Sequence, residues 1–163
     1  MNINASVERR IEARPEAVYA VIADFRDHHP KILPPEFSEV IVEEGGVGGG
    51  TVLRFTLTLG GRPRTSRVRV EETEPGRVLT EREIDGSMLT TFTVDPLPHG
   101  CSRVTITTSW QASGLRGVVE RLFAPRMLRR LYADELSRLN RYVRERAKTA
   151  PRILRVNRAF VVA

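Results

Sequence analysis

The stretch from Phe37 to Gln111 constrains this chain most. It is broken at Gly45-Gly46 through Gly50, Gly60-Gly61, Pro75-Gly76, Asp85-Gly86 and Pro96 to Gly100, and the residues between the breaks alternate. Leu53, Phe55, Leu57 and Leu59 fall on one side, with Arg54, Thr56 and Thr58 on the other. Val104, Ile106, Thr108 and Trp110 oppose Thr105, Thr107, Ser109 and Gln111 in the same way. A period of two is that of a half-buried strand. Gly-Gly and Asp-Gly suit tight primed hairpin turns, and Pro-Gly suits a type II turn. The spacing predicts six strands in an antiparallel meander, one face wet and the other covered.

The cover has to come from the ends of the chain. Ile3, Ala5, Val7 and Ile11 alternate as a seventh strand, and Arg14-Pro15-Glu16 then opens a helix with proline in its first turn. Val18, Val21, Ile22 and Phe25 recur at helical spacing until His28-His29-Pro30, and a second short piece carrying Ile32 and Leu33 ends at Pro34-Pro35. After the meander, Leu115, Val118, Val119 and Leu122 form a short stripe predicted to stop at Pro125. A longer stripe follows in Leu128, Leu131, Tyr132, Leu136, Leu139 and Val143, opposite Arg126, Arg129, Arg130, Arg138, Arg141 and Arg144. A helix of about 20 residues spans roughly 30 Å, enough to cross a curved sheet. The reading is α+β: a curved seven-stranded antiparallel sheet wrapped around a long C-terminal helix, with two short helices after the first strand.

Composition removes several alternatives. A 40% hydrophobic and 28% charged chain of 163 residues is that of one globular domain, not of a disordered protein. No apolar run is long enough for a transmembrane helix, and the N-terminus does not read as a secretory signal. The single cysteine, Cys101, excludes an intramolecular disulfide and a multi-cysteine zinc site, so a cytoplasmic location is expected. The net charge of +6 is uneven: residues 116–163 hold 13 Arg/Lys against 4 Asp/Glu. An arginine face opposite an apolar stripe is usually the solvated side of a packed helix, and no nucleic-acid motif accompanies it.

Five segments, in order, resemble the SRPBCC superfamily of START lipid-transfer domains, birch-pollen-type allergens and polyketide cyclases/dehydrases. They are IEARPEAVYAVIADFRDHHPKILP, GGVGGGTVLRF, EPGRVLTE, TTFTVDPLPHGCSRVTI and RLFAPRMLRRLYADELSRLNRYV, which together span about residues 3–147. The resemblance implies a helix-grip fold with an internal cavity for a hydrophobic small molecule such as a lipid, isoprenoid, quinone or aromatic polyketide. It implies no cofactor and no shared catalytic residue. The domain is expected over residues 1–148, with 149–163 as a tail that docks on its own domain or on a second copy, giving a monomer or a homodimer.

Candidate chemistry is sparse. The glycines at 45–61 are followed by a strand, not by the helix a phosphate cradle needs. His28 and His29 are adjacent and His99 is remote, so no metal site is expected, and a place at the cavity mouth suits one of the pair better. Cys101 and Ser109 have no base at readable spacing. Arg82 shares a side with Val78, Thr80 and Ile84; if that side is concave, a guanidinium enters an apolar cavity and needs an acceptor there. The other side, Leu79, Glu81 and Glu83, is the alternative inner face. The candidate ligand-binding set is therefore His29, Phe55, Leu57, Arg82, Thr90, Phe92, Thr108, Trp110 and Tyr132, with no catalytic residue assigned. Three functions remain open: a carrier of a hydrophobic small molecule, a cyclase/dehydrase-type enzyme, and an interaction protein using the basic helix. Acid/base groups converging inside the cavity would favour the enzyme.

Overall fold

The structure is a computed structural model describing residues 2–150, with the backbone alone described at 115–120. Seven strands form one antiparallel sheet: β1 (Asn2–Ile11), β2 (Phe37–Glu44), β3 (Val52–Leu59), β4 (Arg62–Glu74), β5 (Val78–Glu83), β6 (Leu89–Leu97) and β7 (Cys101–Gln111). Their order is β1-β7-β6-β5-β4-β3-β2, so the meander runs unbroken and β1 closes onto its last strand. Between β1 and β2 lie helix α1 (Pro15–Ala23) and a single 3₁₀ turn (His29–Lys31). The chain then ends its described part in α2 (Gly114–Thr149).

The turn chemistry works largely as the sequence suggests. Gly60 and Gly61, at φ 57° and 74°, make a two-residue turn between the paired Leu59 and Arg62. Both positions are left-handed, the requirement of a type I′ turn. The Arg77 amide donates to the Glu74 carbonyl at 3.0 Å across Pro75-Gly76, with Gly76 at φ 80°, as a type II turn demands. Asp85-Gly86 differs. It sits in a wider loop between β5 and β6, and a Cβ on Gly86 would lie 2.0 Å from Glu83 Oε2. A carboxylate packed against that glycine, and not a primed turn, sets the loop.

Three helical expectations are corrected. The first helix ends at Ala23, because the Asp24 carboxylate accepts from the amides of Arg26 and Asp27 and turns the chain before the histidines. The second short helix is only the 3₁₀ turn. At the other end, the predicted stop at Pro125 does not occur, and α2 runs through it. Proline removes one donor and crowds the turn before it. Leu122 and Phe123 are 56% and 58% exposed, so the turn that accommodates the proline lies at the surface, where the Arg126 guanidinium donates to the Leu122 carbonyl at 3.5 Å. Leu122 is accordingly not in the buried stripe. The side chains of Leu115, Val118 and Val119 lie outside the described residues, as does the expected tail beyond Ala150.

From Leu128 onward the stripe is buried as the period requires, with Leu131, Leu136 and Leu139 packed into one core with Val18, Ile22 and Phe92. The arginines opposite it face solvent or sit at the edge of the contact. If α2 is continuous, Pro125→Ala restores a backbone hydrogen bond inside a helix. The variant is expected to be more stable by about 1–3 kcal/mol in urea denaturation, whereas a helix that stopped at Pro125 would leave the midpoint unchanged.

Candidate functional site

The register of the sheet assembles the site. Glu81 on β5 pairs with Thr90 on β6, and Thr90 pairs with Thr108 on β7. Side chains directly opposite in an antiparallel sheet share a face, so one row across the concave surface reads carboxyl, hydroxyl, hydroxyl. Helix α2 lays Tyr132 and Glu135 over this row, three residues apart and therefore on one side of the helix. The Tyr132 hydroxyl lies 2.5 Å from Thr108 Oγ1, which lies 2.8 Å from Thr90 Oγ1.

His29 closes the corner. Its Nδ1 lies 2.6 Å from the Ile22 carbonyl, so Nδ1 carries the proton and Nε2 presents a lone pair. The ring stacks on Phe25 at 4.6 Å and meets the edge of Phe92 at 5.7 Å. Nε2 is 3.9 Å from Glu135 Oε1, too far for a hydrogen bond. Glu135 is 2% exposed, and its Oε1 has no hydrogen-bond partner.

Burial governs the electrostatics. Desolvation pushes the Glu81 carboxyl up from its ordinary value near 4.5 to about 7. It raises Glu135 well above the carboxylate range, with further upward pressure from Glu81 and Asp134. Burial pulls His29 down to about 4, against the Ile22 hydrogen bond, and pushes the Tyr132 phenol up. A third acid, Glu83, faces the same interior two residues along β5 but is fully partnered. Its carboxylate accepts from Arg64 at 2.6 Å, Ser66 at 3.0 Å and the Met88 amide at 3.2 Å. Glu81 and Glu135 make no such bonds.

These groups line a narrow inner chamber of about 30 Å³, walled by Phe25, Phe37, Phe55 and Phe92 and floored by His29, Glu81, Thr90, Tyr132 and Glu135. Leu57 and Met88 also line a wide outer chamber of about 870 Å³. The outer chamber opens between the β3–β4 hairpin and the first half of α2, past Trp110, Phe123 and Met127.

Of the sequence-derived set, His29, Phe55, Leu57, Thr90, Phe92 and Tyr132 line the inner chamber, Trp110 lines the outer one, and Thr108 stands behind Thr90 and Tyr132. Arg82 does not join them. It points outward, its side chain 57% exposed and 3.9 Å from Glu71 on β4, because the apolar Leu79 fixes the opposite face of β5 as the inner one. Glu81 came inward with Leu79. Glu135 was missed, although its signal was legible: it interrupts the apolar stripe between Tyr132 and Leu136. His28 sits outside the chamber, 2.8 Å from the Tyr142 hydroxyl, and Cys101 lies buried beside Arg10. Among the described residues no cluster of three His, Cys, Asp or Glu side chains is arranged to hold a metal ion.

The model of a family described as polyketide cyclase / dehydrase and lipid transport matches residues 2–144. The KanY protein, solved in solution by NMR, is 34% identical and superimposes with a TM-score of 0.78 over 88% of this chain and 99% of its own. The Zhui aromatase/cyclase from Streptomyces sp. R1128 is 18% identical, with a TM-score of 0.76 over 93% of this chain and 99% of its own. The di-domain aromatase/cyclase StfQ of the steffimycin biosynthetic pathway is 15% identical, with a TM-score of 0.69 over 91% of this chain and 52% of its own. At their identities the last two show the fold alone. No curated protein matches the chain.

The raised Glu81 carboxyl has a signed consequence for stability. Between pH 4.5 and about 7 the folded protein keeps a proton that the unfolded chain releases, so this contribution is whole below 4.5 and is lost as pH rises to 7. His29 acts in the opposite sense, contributing above pH 6.5 and losing its share as pH falls to about 4. Comparing Glu81→Gln with the parent protein cancels the histidine. Urea midpoints are expected to move in favour of the variant from pH 4.5 to 7 and then hold constant; a difference independent of pH would contradict the raised Glu81 carboxyl.

Proposed function

Because the chain belongs to the polyketide cyclase / dehydrase and lipid transport family, we propose that it binds a hydrophobic small molecule in its cavity and moves a proton on it, as a cyclase/dehydrase-type enzyme does. The observation that carries this reading is the convergence of Glu81, Glu135, His29 and the Tyr132–Thr108–Thr90 hydroxyl chain at one end of an otherwise aromatic chamber. A passive carrier gains nothing from two uncompensated carboxyls, each of which weakens the fold.

The roles follow from charge. A carboxyl near pKa 7 exists in both forms at neutral pH, so Glu81 suits both taking and returning a proton. A carbon acid next to a ligand carbonyl would lose its proton to Glu81, and the enol oxygen would be met by the Tyr132 hydroxyl. Phe25, Phe37, Phe55 and Phe92 exclude water and strengthen every charge interaction inside. The large outer chamber supports binding of a bulky apolar body, whether lipid, isoprenoid, quinone or aromatic polyketide. The free Cys101 fits a reducing, cytoplasmic setting.

The test is exchange of the α-protons of a naphthyl 1,3-diketone in deuterated buffer, followed by NMR. The protein should accelerate exchange, and Glu81→Gln should lower that acceleration by about 10²–10⁴-fold while leaving diketone binding intact. Tight binding without acceleration would make the protein a carrier.

A further inference from the structure

We propose that the corner formed by Glu135, His29 and Glu81 is a recognition site for a primary ammonium group on the ligand. This rests on the inner chamber being where one end of the ligand sits, and it adds the chemical class of that end.

The corner is built from acceptors. Glu135 Oε1 is buried without a hydrogen-bond partner. His29 Nε2, 3.9 Å away, offers only a lone pair, since Nδ1 is committed to the Ile22 carbonyl at 2.6 Å. Glu81 supplies a second carboxyl in the same chamber. Neither lysine nor arginine lines it, in contrast to the neighbouring Glu83, which has Arg64. A group with three donors and a positive charge meets all of these at once, and a primary ammonium is that group.

The walls and the size agree. Phe25, Phe37, Phe55 and Phe92 line the chamber and keep its dielectric low, which strengthens a charge interaction made inside it. About 30 Å³ admits a head no larger than one or two waters, so a primary amine enters and a quaternary one does not. Charge balance holds as well. A neutral amine takes the proton of a protonated Glu135: an O–H bond breaks, an N–H bond forms, and an ion pair arises with no net charge brought into the protein. A ligand entering carboxylate first would instead bring a negative charge into a chamber lined by no lysine or arginine.

The experiment is calorimetry of the full chain at pH 7.5 with three naphthyl probes of one shape: 2-(2-naphthyl)ethylamine, 2-(2-naphthyl)ethanol and 2-naphthylacetate. The amine is expected to bind about tenfold or more tighter than the alcohol, and the acetate weakest of all. Glu135→Gln should bring the amine to the affinity of the alcohol while the alcohol is unchanged, which also shows that the variant is folded. If the alcohol binds as tightly as the amine, or the amine keeps its advantage in Glu135→Gln, the ammonium site is overturned and the cavity reading stands. If none of the three binds the parent protein, both fall.

Discussion

The packing of one stripe of α2 against the concave sheet holds the molecule together and sets its chemistry. Leu128, Leu131, Leu136, Leu139 and Val143 are each no more than 5% exposed, and burying a side chain of this kind contributes about 1.5–3 kcal/mol. That apolar burial offsets the cost of Glu135, which occupies the same stripe and would by itself drive the helix away from the core. A carboxyl with an unpartnered oxygen stays inside only because its neighbours on both sides anchor the turn that carries it.

The contrast along β5 shows how selective the compensation is. Glu83 and Glu81 are two residues apart and face the same interior. The first is met by a guanidinium, a hydroxyl and a backbone amide, and it fixes the loop around Gly86. The second is met by a row of threonines that already bond to one another and to Tyr132. One acid is therefore tied into the scaffold, while the other has no such partners.

The two chambers differ in size and lining. The outer one is wide and carries Arg62 and Arg64 beside its apolar lining, and the inner one is small and carries the acids. The α2 arginines opposite the apolar stripe line neither chamber. Arg138 pairs with Asp134 and Arg144 with Glu12 on the exposed side of α2, where such pairs contribute little. The third reading, an interaction protein using that face, has no feature of the site to support it.

Much of this was legible without coordinates. The period of two, the glycine turns at 60–61 and 75–76 and the apolar stripe from Leu128 to Val143 determined the meander, its covering helix and most of the chamber's wall, because alternation and helical spacing are local consequences of backbone geometry. What stayed open needed contacts between distant residues. Only sheet packing decided that Leu79, with Glu81, faces inward and Arg82 outward, since both sides of β5 carry charge. Only register set Glu81, Thr90 and Thr108 in one row, and only the crossing of α2 brought Glu135 within 3.9 Å of His29, 106 positions earlier in the chain. Sequence period says which way a side chain points relative to its own strand or helix; what it meets there is a property of the assembled core.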